Sequence, residues 1–373
     1  MDQGSKRKLN NFHVVFLVQN VLIGVNLLSL PHDLIGLGPD MWWYPALLGL
    51  VCWLAVLPMI WVCSRYPDDS LFRINEKLLG KWLGSSINLV FILYALGTVA
   101  AVAEGYLRLM QTITMPDRTI TGPLVFLLIV LVYITESGIK GIARFCIVSF
   151  VFTGWLVYYL QWSLVQGDLR HLLPLFQVDA GQMLTSAHRG MPAFLGFELL
   201  PFCYPYIREP KKLFRNAGIG IAIAVFFYFS VTLASVAYFS MWQLDHLLYP
   251  VLNLFKAVEL SFLERVENLG ISLWVFLILS TAAGYLWMAA KGVDTMLKKF
   301  RKAHLYIGAL LVLAMIESPF KPEQRKDLYD DWIPLVGYGV ILYPLLILPL
   351  VLLRTRKEKD GNEPKEAPEQ NAS

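Results

Sequence analysis

Ile23-Gly24-Val25-Asn26-Leu27-Leu28-Ser29-Leu30-Pro31 lies within the first hydrophobic segment of the chain. A helix in lipid must satisfy its own backbone donors and acceptors, and glycine, asparagine and a following proline all weaken a continuous helix. We therefore expect this helix to be broken. Irregular backbone at membrane depth is tolerated where it lines a cavity, and its freed groups and half-helix dipoles can hold a charged small molecule. The stretch is the first candidate for a binding site.

The composition is that of an integral membrane protein. Hydrophobic residues make up 56% of the 373 residues and charged residues 16%, and the mean hydropathy is +0.54. The apolar segments are about 20 residues long, the length at which an α-helix crosses about 30 Å of hydrocarbon. They lack the two-residue alternation of an outer-membrane barrel. The fold class predicted from these features is an all-α membrane protein.

Ten membrane spans are predicted, and their even number places both termini on one side. Most of the 32 Lys and Arg residues fall in segments on the N-terminal side, which by the positive-inside rule indicates that both termini are cytoplasmic. We expect a cytoplasmic segment over residues 1–11, a membrane domain over 12–353 and a disordered cytoplasmic tail over 354–373. The predicted spans are 12–35, 42–64, 83–110, 120–135, 145–166, 188–207, 216–241, 266–290, 304–320 and 333–353.

The residue pattern does not indicate a metal site, a cofactor, nucleic-acid binding or catalysis. The six histidines are scattered without ligand spacing, and the pI of 8.7 is explained by membrane topology. No nucleophile, base and orienting group converge in the sequence, so an enzyme is not expected. The four cysteines fall in or beside apolar segments and are predicted to be small core residues. They are Cys52, Cys63, Cys146 and Cys203.

The sixth span, from Gly190 to Pro205, is the second segment that makes a poor continuous helix. It is interrupted by Gly196 and Pro201 and carries Glu198 near mid-membrane. It lies five spans after the first, and because five is odd, a second half that repeats the first would cross the membrane inverted. Gly/Pro-interrupted segments in corresponding positions of two inverted halves point to a transporter-type site at the midplane. The sequence therefore predicts a 5+5 inverted repeat with broken helices 1 and 6.

The dipoles of the half-helices indicate the chemistry of the ligand. Their N-termini favour an anionic group such as a carboxylate, whereas their C-termini and unwound carbonyls favour an ammonium group or a cation. A zwitterionic amino acid satisfies both. Glu198 either contacts the ligand or carries a proton, or else it hydrogen-bonds the broken backbone of spans 1 and 6; the sequence leaves both alternatives open.

Other polar residues within the spans have a functional and a structural explanation. Glu104 and Arg108 lie four residues apart on one helix face, which favours an intrahelical ion pair. Thr98, Ser280 and Thr281 are candidates for binding a ligand or ion. Serine and threonine hydroxyls also bond to the backbone of their own helix, so that alternative stays open.

The chain resembles the endospore germination permease family, the B subunits of nutrient germinant receptors, within the amino acid, polyamine and organocation transporter superfamily. The resemblance runs from about residue 9 to 353 and depends on the order and spacing of several motifs. The motifs are Gly24 to Pro31, Leu78 to Gly84, Phe194 to Glu198, Phe262 to Glu267 and Ala289 to Gly292. It implies a LeuT-like fold in the inner membrane of a spore.

The resemblance also implies a ligand, partners and a pocket. The ligand would be a nutrient such as an amino acid, and the partners a membrane A subunit and a lipoprotein C subunit. Many relatives have a small glycine or serine at the position of Asn26, which here narrows the pocket and adds an amide. The implied pocket residues are Gly24, Val25, Asn26, Thr98, Ala101, Phe194, Gly196, Phe197, Glu198, Ser280 and Thr281.

Three functions fit these features. The leading one is a receptor subunit that senses a nutrient, probed by Asn26→Ala. The second is a secondary transporter that moves an amino acid with protons or cations, with Glu198 as the coupling residue. The third is an ion or water conduit opened by partner subunits, which would show ion flux without small-molecule binding.

Overall fold

The computed structural model describes residues 8–114, 116–259, 265–297, 303–318 and 321–360, and these residues are almost entirely helical. Within them, the strand-like pairing is a single parallel β-bridge between Leu9 and Ile207. Leu9 donates its N–H to the Tyr206 carbonyl at 2.6 Å, and Arg208 donates to the Leu9 carbonyl at 2.9 Å. The bridge joins the start of the first span to the end of the sixth.

The helices follow the predicted order of ten spans and confirm the fold class. The first five spans and their connections comprise α1 (Asn11–Leu22), α2 (Leu30–Asp33), α3 (Tyr44–Ser64), α4 (Leu71–Thr114), α5 (Thr121–Glu136), α6 (Gly138–Thr153) and α7 (Leu160–Gln166). The last five comprise α8 (Ala180–Gly190), α9 (Leu200–Cys203), α10 (Leu213–Tyr238), α11 (Met241–His246), α12 (Pro250–Lys256), α13 (Val266–Met296), α14 (Ala303–Ile316), α15 (Pro322–Lys326) and α16 (Ile333–Asp360).

Six segments of the described chain are long and apolar enough to cross a membrane, and three shorter apolar helices lie among them. The long segments are Tyr44–Ser64, Leu71–Thr114, Gly138–Gln166, Pro210–Tyr238, Val266–Met296 and Glu323–Arg354. The shorter helices are Asn11–Leu22, Thr121–Glu136 and Ala303–Ile316. The sixth span is divided into pieces too short to be counted in either group.

Both predicted helix breaks are present. After α1, Ile23 and Gly24 are extended, and a 3₁₀ turn over Val25–Leu27 leads into α2. After α8, a 3₁₀ turn over Met191–Phe194 ends at the extended residue Leu195, and the chain turns at Gly196. The two broken spans pack against each other, so the irregular backbone of one lies beside that of the other.

The long helix α4 consists of two parts joined at Gly80. Gly80 has a φ of 80°, a conformation that favours glycine, and this divides a short first part from the spanning second part. A buried amide pair holds the parts together, because Asn75 donates to Asn88 at 2.8 Å. Tyr343 of α16 donates to Asn75 at 2.9 Å, which connects the bend of α4 to the last span.

We call the end of the bundle away from the N-terminus the distal side, and the connections there are organised by Asp40. This carboxylate is 1% exposed. It accepts the backbone N–H groups of Phe176 at 2.7 Å and Gln177 at 2.9 Å, and the indole N–H of Trp43 at 3.1 Å. Asp40 thereby ties the connection between α2 and α3 to the loop that precedes α8.

The last helix continues past a predicted boundary. α16 continues to Asp360, beyond the end of the tenth predicted span at residue 353. Residues 1–7 of the predicted N-terminal segment and residues 361–373 of the predicted tail lie outside the described residues. Residues 262–264, the first half of the motif from Phe262 to Glu267, also lie outside them.

Candidate functional site

A cavity of about 480 Å³ reaches from the distal side to the first helix break. Its wall is formed by the break after α1, the middle of α4, the break after α8, α13 and the start of α16. The side chain of Asn26 is exposed to this space although it lies within the first span. The cavity is therefore an open route from one side of the bundle to the irregular backbone.

The carbonyl groups released at the two breaks have specific donors. The Tyr228 hydroxyl of α10 lies 2.8 Å from the Leu22 carbonyl and 2.5 Å from the Ala193 carbonyl, so one side chain serves both breaks. Trp274 of α13 donates its indole N–H to the Gly24 carbonyl at 3.3 Å. Thr281 donates to the Asn20 carbonyl at 3.2 Å. Because buried backbone acceptors need partners, these donors stabilise the broken conformation.

Charged side chains surround the distal mouth of the cavity. Asp33 comes from the end of α2, and Asp330 and Asp331 come from the π-helical turn Asp327–Trp332 before α16. Arg189, at the end of α8, also lines the mouth. The carboxylates outnumber the guanidinium group, so the mouth favours a ligand that carries a positive group.

Tyr249 brings a neutral hydroxyl to the same mouth. It lies in the short connection between α11 and α12 and lines the cavity. Burial raises the pKa of the Tyr249 phenol, and the nearby Asp330 and Asp33 carboxylates raise it further. The phenol therefore stays protonated at neutral pH and can act as a hydrogen-bond donor.

Glu198 lies behind the cavity wall. The residue is fully buried, and its Oε1 accepts the hydroxyls of Tyr94 at 2.7 Å and Tyr285 at 2.5 Å. Its Oε2 accepts the N–H of Gly196 at 2.6 Å. A charge at the centre of a spanning helix costs about 2.5–3.5 kcal/mol on insertion scales, and hydrogen bonds to a carboxylate offset that cost. Of the two alternatives open in the sequence, this geometry favours the one in which Glu198 bonds the broken backbone.

The structure brings six of the eleven predicted pocket residues to the cavity and places the others behind its wall. Phe194 packs its ring against Tyr228 with centroids 4.7 Å apart, and the Ser280 hydroxyl bonds the Phe276 carbonyl of its own helix at 2.8 Å. The residues at the cavity are Gly24, Val25, Asn26, Thr98, Ala101 and Thr281. The buried residues outside its lining are Phe194, Gly196, Phe197, Glu198 and Ser280.

Sequence reasoning missed the polar residues of the mouth and one residue of the wall. Asp33 and the Asp330–Asp331 pair stand at the ends of apolar segments, where charged residues are ordinary, so only their convergence in the fold distinguishes them. Tyr285 of α13 lines the cavity, and a tyrosine in an apolar helix gives no separate signal.

Within the described residues, no group of three or more His, Cys, Asp or Glu is arranged to hold a metal ion.

The predicted ion pair of Glu104 and Arg108 is confirmed. Glu104 is 4% exposed, and its Oε1 accepts the Arg108 Nε at 2.6 Å. Arg325 of α15 approaches the same oxygen at 3.7 Å. Both guanidinium groups lie beside Glu104 and outside the cavity lining, and Arg325 also donates to the Ile316 carbonyl at 2.8 Å.

Comparison with curated proteins gives relatives of nearly the same length. The chain is 25% identical to spore germination protein GerQB of Bacillus cereus over 361 residues, covering 94% of this chain and 97% of that protein. It is 23% identical to spore germination protein A2 of Bacillus subtilis (strain 168), covering 94% and 97%. Its identity to spore germination protein B2 of the same strain is 24%, covering 91% and 93%.

Comparison with solved structures shows the fold. A Na⁺-coupled sialic acid symporter in a substrate-bound outward-open state superposes with a TM-score of 0.67 at 13% identity, covering 90% of this chain and 78% of that one. MhsT in complex with L-phenylalanine gives a TM-score of 0.60 at 17% identity, covering 89% and 88%. Both are LeuT-fold transporters, so this chain has the LeuT fold.

The match to a family completes the comparison. The family described as "Spore germination protein" matches residues 8–325, which include both helix breaks and most of the cavity wall. The relatives and the fold agree with this assignment. The chain therefore belongs to the spore germination permease family.

Proposed function

We propose that the chain is the nutrient-sensing membrane subunit of a spore germinant receptor and that it binds an amino acid in the cavity. The observation that carries the proposal is the cavity of about 480 Å³ that ends on the broken backbone of the first span. Relatives named as spore germination proteins support the role in germination. The solved structure with L-phenylalanine supports a small zwitterion as the class of ligand.

The proposed ligand lies with its carboxylate near the backbone of 24–26 and its ammonium group toward the mouth. The N-terminal end of the half-helix after the break favours an anion, and the Asn26 amide adds a donor. Asp33 and Asp330 favour the ammonium group at the other end. The ligand is flanked by Thr98 and Ala101 on α4 and by Thr281 on α13. The predicted pocket residues behind the wall support the shape of the cavity.

Assembly and location follow from the same proposal. The receptor contains a membrane A subunit and a lipoprotein C subunit, and this chain lies in the spore inner membrane with both termini in the cytoplasm. The distal mouth then faces outward, where nutrients arrive. Ligand binding acts by favouring one conformation over another, which requires different affinities for the two.

The test uses spores that carry Asn26→Ala in place of the natural chain. Dipicolinate release is recorded against the concentration of each standard amino acid. Loss of one hydrogen bond to the ligand carboxylate should raise the half-saturating concentration of the effective amino acid about ten- to a hundredfold. Ser230→Ala, on α10 and outside the cavity lining, should leave it unchanged. An unchanged curve for Asn26→Ala would contradict the pocket assignment.

Transport of the ligand is the second candidate, because a further cavity of about 280 Å³ lies on the N-terminal side. The residues that line it include Tyr206, Lys291 and Asp294. A polar cavity therefore lies on each side of the buried Glu198 and the tyrosines that donate to it. Uptake of radiolabelled amino acids into proteoliposomes, abolished by Glu198→Gln, would support transport. Binding without uptake would support a receptor that does not transport.

A further inference from the structure

Glu198 connects three membrane-spanning segments through one carboxylate. The two tyrosines that donate to it come from α4 and α13, and the third donor, Gly196 N–H, belongs to the break of the sixth span. All four residues are buried. The two oxygens of a carboxyl group can each accept hydrogen bonds, so one side chain can bond all three donors. The position of the break is thereby fixed relative to two other spans.

The cluster of Glu198, Tyr94, Tyr285 and Gly196 adjoins the proposed ligand at two points. Tyr285 both lines the cavity and donates to Glu198. Leu195 also lines the cavity and directly precedes Gly196. A ligand that shifts either wall residue therefore changes a hydrogen bond of Glu198, although the carboxylate itself is outside the cavity lining.

On its other side the cluster adjoins α16. A Cβ added to Gly337 would lie 2.9 Å from the Tyr94 hydroxyl and 3.1 Å from the Leu195 side chain, so α16 passes the cluster without room for a side chain. Tyr343, six residues further along α16, bonds Asn75 near the bend of α4 on the N-terminal side. Contacts thus run from the cavity wall through the cluster to the far end of the bundle.

From this arrangement we infer that Glu198 is a positioning residue that does not touch the ligand. It transmits the effect of ligand binding in the cavity to α4 and α16. The inference rests on the proposed function, in which the cavity holds the ligand. Its physical basis is that charge-assisted hydrogen bonds are short and directional, so the cluster favours one arrangement of three spans. Signalling then requires the bonds to Glu198, whereas binding requires the cavity.

Two substitutions separate these roles with little change in shape. In Glu198→Gln the amide oxygen can still accept from the tyrosines, but the NH₂ group faces the N–H of Gly196, where two donors cannot bond. Tyr285→Phe removes one donor and keeps the ring in the wall. Tyr106→Phe is the matched control, because its hydroxyl is also buried and bonds the Ile271 carbonyl outside the cluster.

The experiment measures signalling and binding separately. Signalling is the maximal rate of dipicolinate release from spores given an equimolar mixture of the standard amino acids. Binding is the thermal stabilisation of the purified chain by each amino acid. Glu198→Gln, Tyr94→Phe and Tyr285→Phe should each lower the release rate about tenfold or more. In Glu198→Gln and Tyr94→Phe, which leave the cavity lining intact, the half-stabilising concentration should stay within about threefold of the wild type. Tyr106→Phe should match the wild type in both.

Several results would overturn the inference. If Glu198→Gln weakens binding as strongly as Asn26→Ala, the carboxylate is a ligand contact. If Glu198→Gln and Tyr285→Phe spores respond at the wild-type rate, the cluster does not carry the signal. Immunoblots of spore membranes report abundance, and if Glu198→Gln fails to accumulate, Tyr285→Phe and Tyr94→Phe decide the question.

A failure of the proposed ligand class is distinguishable from a failure of this inference. If no amino acid stabilises the wild-type chain, the proposed function is wrong as stated. The spores are then germinated with yeast extract as a general nutrient source. A reduced rate in Glu198→Gln and Tyr285→Phe, but not in Tyr106→Phe, would still support the role of the cluster, and equal rates would refute it.

Discussion

Gly196 has a φ of 141°, a region that side chains rarely adopt, and lies against the backbone of α1. A Cβ here would be 2.7 Å from the carbonyl carbon and oxygen of Val21. Both the conformation and the contact oppose any other residue. The break of the sixth span therefore needs glycine at this position for two independent reasons.

We predict that Gly196→Ala destabilises the protein by at least about 2 kcal/mol, from backbone strain together with the clash against α1. Thermal unfolding of the purified chain measures the effect. Gly24→Ala is the matched control, because Gly24 has a φ of −104° and its added Cβ would meet nothing within 4 Å. Equal melting temperatures for the two variants would contradict the explanation.

At the residue scale, the sequence predicted the positions where a helix cannot continue better than the partners of each side chain. Glycine, proline and a carboxylate in an apolar segment are costly in lipid, so Gly196 and Glu198 were identifiable. Tyr94 and Tyr285 were not, since a buried tyrosine also serves as a packing residue and its hydroxyl partner depends on the fold. The same dependence on the fold explains why some predicted pocket residues line the cavity and others lie behind its wall.

The connections on the distal side depend on the buried carboxylate of Asp40, which joins two loops through backbone N–H groups. In Asp40→Asn, one amide oxygen remains as an acceptor, but the NH₂ group faces a backbone N–H. We expect this change to lower stability by about 1.5–3 kcal/mol, the range for a hydrogen bond to a charged group. The substitution should also loosen the segment before α8.

Limited proteolysis from the distal side measures that effect, with faster cleavage between α7 and α8 expected in Asp40→Asn. Asp245→Asn, an exposed change in α11, serves as the control. Similar cleavage rates for both variants would show that the loops are held by other contacts.

At the element scale, ten spans and both breaks were predictable, because hydrophobic length and helix-breaking residues are local signals. The mouth of the cavity was not. Asp33 and Asp330 are 297 positions apart in the numbering and approach only when the first and last spans pack together. The bend of α4 at Gly80 agrees with a third predicted span that begins only at residue 83.

The molecule as a whole is open on its distal side and closed around Glu198. Its four cysteines are buried, which gives a low background for labelling of introduced cysteines. We predict that Asn26→Cys reacts with a membrane-impermeant methanethiosulfonate reagent added to the distal side, because residue 26 is exposed to the cavity. Ser280→Cys should stay unreactive, since Ser280 is fully buried.

Labelling of right-side-out and inside-out vesicles also tests the topology inferred from the charge distribution. With the N-terminus in the cytoplasm, Asn26→Cys reacts in right-side-out vesicles and is protected by a bound amino acid. Reaction in inside-out vesicles alone would reverse the topology. Reaction of Ser280→Cys at a similar rate would mean that the cavity extends further than described.

At this scale the sequence predicted the class and the inverted architecture, because a second broken helix five spans after the first imposes a topology. It left open which side of the bundle is accessible. Accessibility depends on small differences in packing between conformations of the same chain. The negative charge of the mouth was equally hidden, because Asp33, Asp330 and Asp331 converge only in the folded chain.

The bridge between Leu9 and Ile207 fastens the first residues of α1 to the end of the sixth span. The ends of both broken spans that lie on the N-terminal side are therefore attached to each other at Leu9. A fluorophore placed just before Leu9 would lie beside the end of the sixth span, the span that carries Glu198, and would report a displacement of that end optically. The segment before Leu9 is thus the natural position for a reporter of conformational change in the two broken spans.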